Sequence, residues 1–167
     1  MSTADQQLAA LADVGTLLDR AGYAHWLFGG WAVDFHVGAI TREHFDIDLA
    51  VWSDDVPAIV TLLEAEGWRH APLPDEDGGT GYERGGVRVE LTFLVDGEGT
   101  VFITLRSGNV VFSRIPLGNE VRELNGVRAR IVGLSFLRDG KSRPRDDPED
   151  APIDRADSEA LARVGQA

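Results

Sequence analysis

Two aspartates, Asp46 and Asp48, stand two residues apart in "FDIDLAVW", a stretch that otherwise reads as a hydrophobic strand. Strand side chains alternate between faces, so Ile47, Leu49 and Val51 form an apolar face. Asp46 and Asp48 share the other face, with Cβ atoms ~7 Å apart, close enough for both carboxylates to converge on one ion. Like charges so placed raise each other's proton affinity unless a cation neutralises them. Oxygen ligands without a neighbouring Cys or His favour a hard ion such as Mg²⁺. The plainer reading of D-x-D alone is a pair of solvent-facing aspartates on an edge strand. The apolar residues after Asp48 exclude a calcium loop of EF-hand type.

Glu90 adds a third carboxylate. In "VRVELTFLV", Val87, Val89, Leu91 and Phe93 line one face, and Glu90 lies on the other with Arg88 and Thr92. A glutamate in such a strand is ordinarily an edge residue. Beside "FDIDLAV", it would complete a metal site or accept a proton from an attacking hydroxyl. Gly29 and Gly30 follow one strand and open a helix. Backbone N–H groups there, with no Cβ in the way, suit a phosphate. An isolated glycine pair is more often a plain tight turn. Neither Walker A nor G-x-G-x-x-G is present, which removes the P-loop and dinucleotide-binding readings.

The elements that must position these groups follow from periodicity. Leu8, Leu11, Val14 and Leu18 predict a helix from Ala4 to Arg20, ended by Gly22. "AHWLF" reads as a buried strand running into the glycine pair, and Trp31 to Val37 as a short helix stopped at Gly38. After the "FDIDLAVW" strand, Ser53 is expected to cap a helix that carries Val56, Ile59, Val60 and Leu63 and ends at Gly67. The pattern then turns to β. Strand pairs are expected around Gly85-Gly86 and Asn125-Gly126, with further strands near Thr100–Thr104 and Val110–Phe112. A short helix is expected from Leu134 to Gly140. "KSRPRDDPEDAP" reads as a surface loop, and Asp154 as the cap of a last helix through Ala156, Leu161 and Val164. This order predicts an α+β domain with a mixed sheet flanked by helices. Residues 1–133 are expected to form the domain, and 134–167 a short C-terminal loop and helix region packed on it.

The 167 residues include no cysteine, so a disulfide framework and Cys-ligated metal are excluded. The formal net charge is −12, which repels nucleic acid and anionic membrane and favours a cationic small molecule. Solubility alone also accounts for such a surface. No apolar stretch approaches the ~20 residues of a membrane helix, and the N-terminus lacks a secretory pattern, so a cytoplasmic protein is expected. Trp26, Trp31, Trp52 and Trp68 are expected mainly in the core.

Strand, glycine pair, helix, D-x-D strand and a further acidic strand together form a specific pattern. "WLFGGWAVDFHVGAITREHFDIDLAVW" resembles the nucleotidyltransferase superfamily, of DNA polymerase β-like fold, and within it the small aminoglycoside and lincosamide nucleotidyltransferases. The resemblance extends through "LLEAEGW", Glu90 and "DRADSEAL". It implies ATP with Mg²⁺, and transfer of AMP to a hydroxyl of a drug-like acceptor. Gly29 and Gly30 would hold the triphosphate and Asp46 and Asp48 the metal, with Glu90 as third carboxylate or general base. Two-metal chemistry agrees with the carboxylate arrangement.

Arg42 is a candidate phosphate contact, because guanidinium suits bidentate phosphate binding; a surface Arg paired with acid is an equal reading. His44 reads as structural. Lys141 stands where the family often carries a nucleotide-contacting lysine, and Asp34 fits the family's helix pattern. The family commonly reads K-D-R-x-D where this chain has "IDRAD", so Ile153 replaces a cation whose task would fall to Lys141, Arg143 or Arg145. The alternative is a protein that keeps the fold without transfer, as a binding, biosynthetic or antitoxin-like regulatory partner. Either would act as a monomer or homodimer.

Overall fold

The computed structural model describes residues 1–74, 78–104, 110–143 and 148–165. Helix α1 (Thr3–Ala21) opens the chain, with a reciprocal Ser2–Asp5 capping box at its start and left-handed Gly22 at its end. Its expected stripe, Leu8, Leu11, Val14 and Leu18, is buried. Strand β1 (His25–Phe28) leads directly into α2 (Gly29–Val37), so this helix begins at the glycine pair itself, two residues before Trp31. Strand β2 (Ile47–Trp52) follows, then α3 (Val56–Ala65). Ser53 does not cap α3. Ser53–Asp55 form a single 3₁₀ turn, and Pro57 sits in the first turn of the helix, where its missing N–H costs nothing.

The second half is mostly β, as expected: β3 (Arg69–His70), β4 (Gly79–Arg84), β5 (Val87–Asp96), β6 (Val101–Thr104), β7 (Val110–Ser113), β8 (Glu120–Leu124) and β9 (Val127–Ile131). Asn125 and Gly126 both adopt positive φ, which is what a two-residue hairpin between β8 and β9 requires. Two helices close the chain, α4 (Leu134–Ser142) and α5 (Asp150–Ala162). The expected "KSRPRDDPEDAP" loop is therefore shorter than its composition suggests. Lys141 and Ser142 finish α4, Asp150, Ala151 and Pro152 begin α5, and 144–147 lie outside the described residues. Asp154 is inside α5 rather than its cap, since Pro152 is accommodated in the first turn.

The strands form a mixed sheet in the order β3-β4-β5-β2-β1-β9-β8, with β6 and β7 extending from the far end of β5. Strand β2 lies antiparallel to β1 and parallel to β5. Helices α1 and α3 pack against each other, while α2, α4 and α5 form a second group. Ile47, Leu49, Val51, Val89 and Leu91 are buried, so the apolar faces of β2 and β5 sit where alternation puts them. Trp31 and Trp68 are buried, and Trp26 packs edge-on against Trp52 with ring centroids 5.4 Å apart. Trp26, Trp31 and Trp68 are core residues, as expected of most of the tryptophans, and Trp52 is partly buried against the core.

Candidate active site

The parallel pairing of β2 with β5 sets Asp48 directly opposite Glu90. Asp46 stands just before β2, which starts at Ile47 rather than Phe45, and it reaches the same place from the end of the strand. Oxygens of Asp46, Asp48 and Glu90 lie within 4.8 Å of one another. Burial, and next the Glu90 carboxylate, raise the Asp46 carboxyl above the ordinary range; Arg88, His44 and Arg42 pull it the other way. Three acids held this close, by oxygen donors alone, fit a hard divalent cation.

The antiparallel pairing of β1 with β2 places Phe28 opposite Asp48, so the start of α2 abuts the acids. Gly29 has φ +67°, and a Cβ there would overlap the Asp48 carboxylate. A Cβ on Gly30 would overlap the Arg42 guanidinium and the His44 ring. Both glycines are thus favoured by close approach, and Phe28 at the N-cap makes no side-chain cap. Gly29 and Gly30 line a cleft, and a helix N-terminus at such a place suits an anion.

Acids and glycines share a cleft of about 390 Å³, whose lining also includes Arg42, Lys141, Phe45, Phe136 and Ile153. All seven site residues expected from the sequence, Gly29, Gly30, Arg42, Asp46, Asp48, Glu90 and Lys141, line it. Arg143 pairs with Asp139 and is not among the lining residues, and Arg145 lies outside the described residues.

Sequence reasoning missed three relationships. Asp157 is 1% exposed and joins Arg42 and Lys141. Burial works against its charge, but hydrogen bonds from both cations hold its carboxyl below the ordinary range. A hint was available, since Asp157 lies four residues before Leu161 on the buried stripe of α5. Asp34 is fully buried, accepts from the Thr41 N–H and hydroxyl, and pairs with His44 Nε2 at 2.6 Å. It braces the loop that carries Arg42 and His44 and lines no part of the cleft. The structural reading of His44 therefore stands, though its ring stacks on Trp31 and also borders the cleft. Finally, Arg88 Nε donates to Glu90 Oε1 at 2.8 Å, tying the third acid to its own strand.

Fold and site together define a nucleotidyltransferase fold with its acidic cluster beside a glycine-initiated helix. The model of the aminoglycoside-2''-adenylyltransferase family matches residues 10–96, just over half of the chain, and the chain belongs to that family. A 2''-aminoglycoside nucleotidyltransferase of Klebsiella pneumoniae is 30% identical over 63 residues, covering 38% of this chain and 36% of that protein. One from Escherichia coli is 33% identical over 60 residues, 34% of each. The matched segment thus spans about a third of these curated relatives' length.

Among solved structures, the lincosamide antibiotic adenylyltransferase LnuA with lincomycin bound superposes with a TM-score of 0.71 at 16% identity, over 95% of this chain and 96% of that one. ANT(2")-Ia in complex with adenylyl-2"-tobramycin gives 0.70 at 20% identity, over 97% and 90%. At such identities these two likenesses bear on the fold.

Proposed function

We propose that this chain is a Mg²⁺-dependent nucleotidyltransferase that moves AMP from ATP to a hydroxyl of a small-molecule acceptor. The acceptor is an aminoglycoside- or lincosamide-like antibiotic, and resistance is the consequence. The observation that carries this reading is the convergence of Asp46, Asp48 and Glu90 next to Gly29 and Gly30. The family match, and the antibiotics bound to the two neighbouring structures, support the choice of acceptor.

In this reading Asp46 and Asp48 hold the metal, with Glu90 as third ligand or as base. A divalent ion bound there would supply Lewis-acid activation of the acceptor hydroxyl and charge compensation for the phosphoryl oxygens. In its role as base Glu90 takes the hydroxyl proton, the oxygen attacks the α-phosphorus, and pyrophosphate leaves. The N–H groups at the start of α2, with Arg42 and Lys141, bind the phosphates. A net charge of −12 favours a cationic acceptor. Residues 1–133 are taken as the catalytic domain and 134–167 as a region folded onto it. An ATP-using enzyme of this kind suits the cytoplasm, as a monomer or homodimer.

Incubation with α-labelled ATP, Mg²⁺ and a panel of aminoglycosides and lincosamides tests the reading. Labelled antibiotic should form with the unaltered protein and not with Asp46→Asn or Asp48→Asn. Near-normal turnover in either variant would refute the metal site. Ile153 in the cleft wall, where the family commonly has lysine, favours a second reading in which the fold is kept without transfer. Calorimetry separates the two, since a silent protein shows no Mg²⁺-dependent ATP binding.

A further inference from the structure

Among the described residues two cations reach the cleft, Arg42 from the loop before β2 and Lys141 from α4, and one carboxylate outside the cleft lining holds both. Asp157 of α5 accepts Arg42 Nε at 2.8 Å on one oxygen. Its other oxygen accepts Arg42 Nη2 at 3.0 Å and Lys141 Nζ at 2.7 Å. Such a two-point pairing fixes the plane of the guanidinium as well as its position. That plane lies against Gly30, where Arg42 Nη2 fills the space a Cβ would take.

Gly30 is the second residue of α2, so the guanidinium is parked at the positive end of that helix. Cation and helix terminus repel each other there unless an anion lies between them. A staple joining α5 to the loop before β2 would need only Arg42 and Asp157. It would not require Lys141 on the same carboxylate, nor a guanidinium turned toward the glycine start of α2.

We infer that Asp157 is a positioning residue that holds Arg42 and Lys141 together as a cation pair for the phosphates of the nucleotide donor. The inference rests on the nucleotidyltransferase reading above. It assigns α5 a part in the site through a residue that never touches substrate.

Inorganic pyrophosphate, titrated calorimetrically into the full chain below its melting temperature, tests the inference without requiring transfer. Asp157→Asn keeps the side-chain volume but cannot hold two cations, and should weaken pyrophosphate binding about 10- to 100-fold, the scale of a charge-assisted contact. Asp157→Glu should recover part of this, and Mg²⁺ affinity should stay unchanged in both. With ATP as varied substrate, KM should rise more than kcat falls. A residue that only stabilises the fold would lower the melting temperature and leave pyrophosphate affinity intact, and that outcome overturns the inference. Should Asp157→Asn fail to fold, Lys141→Met decides, with undiminished pyrophosphate binding again overturning it. Pyrophosphate binding that depends on Asp157, in a protein that transfers nothing, would uphold the inference and sink the transferase reading. No pyrophosphate binding by the unaltered protein would sink both.

Discussion

Asp48 and Glu90 are register partners in adjacent parallel strands, β2 and β5, and the ladder between them fixes their separation. A positioned base typically contributes about 10²- to 10⁴-fold, so Glu90→Gln should lower kcat by that much if Glu90 takes the acceptor proton. Nucleotide affinity should change little, because Asp46 and Asp48 remain. If raised Mg²⁺ restores turnover, Glu90 is a metal ligand rather than the base.

Arg88 bears on the same group. It bridges Glu90 at 2.8 Å and Glu83 at 3.0 Å, and it competes with any cation for the Glu90 oxygens. Arg88→Met should therefore tighten Mg²⁺ binding. The pair is partly exposed, so the gain should be only about 2- to 5-fold. Isothermal titration of Mg²⁺ into the nucleotide-free protein reads it directly, and weaker binding would contradict the competition.

Gly29 and Gly38 both have positive φ, but only Gly29 faces a functional group. Alanine at either position should cost about 1–2 kcal/mol of stability, from the left-handed conformation alone. Gly29→Ala should in addition displace Asp48 and abolish Mg²⁺ binding, whereas Gly38→Ala, with open space around it, should bind Mg²⁺ normally. Thermal melts paired with Mg²⁺ titrations separate the two effects.

Asp46 and Asp157 should give opposite pH dependences. Burial and Glu90 raise the Asp46 carboxyl, so its ionised form destabilises the metal-free fold. That penalty disappears as pH falls through the raised value toward 3.8. Asp46→Asn should thus raise the melting temperature at pH 7, and the difference should vanish in acid. Asp157 is held low despite burial, so its stabilising contribution is complete above 3.8 and is lost as pH falls through its folded-state value. Asp157→Asn should melt lower at neutral pH and lose that acid-dependent component. Melting curves from pH 3 to 8 check both signs.

A polycationic acceptor attracted by the −12 charge should show an apparent KM that rises steeply with salt, since exposed charges are screened beyond ~8 Å at physiological ionic strength. A flat response from 50 to 300 mM salt would point instead to a neutral, lincosamide-like acceptor.

Much of the site was legible in the sequence because it depends on local rules. Alternation put Asp48 and Glu90 opposite the apolar faces of their strands, and Gly29-Gly30 marked a helix start that needs no Cβ. Local rules failed where packing overrode them. Ser53 is a good cap by type, but the chain spends one 3₁₀ turn before α3 begins at Val56. "RPRDDPEDAP" looks like loop by composition, yet its last residues are helical because proline is tolerated in a first turn and α5 packs on α2 and α4.

The sequence by itself determined which residues could do chemistry, through side-chain type and the two-residue strand period. Only the tertiary structure decided their company. Strand register brought Glu90 to Asp48 across a separation of 42 residues, and no local rule specifies register between distant strands. Asp157 meets Arg42 across a separation of 115 residues, and an aspartate of the last helix so becomes the buried partner of two cations. Asp34, likewise, is a brace, because the loop from Thr41 to His44 folds back over its carboxylate. A buried charge needs partners, and the chain supplies them from wherever the fold brings them near.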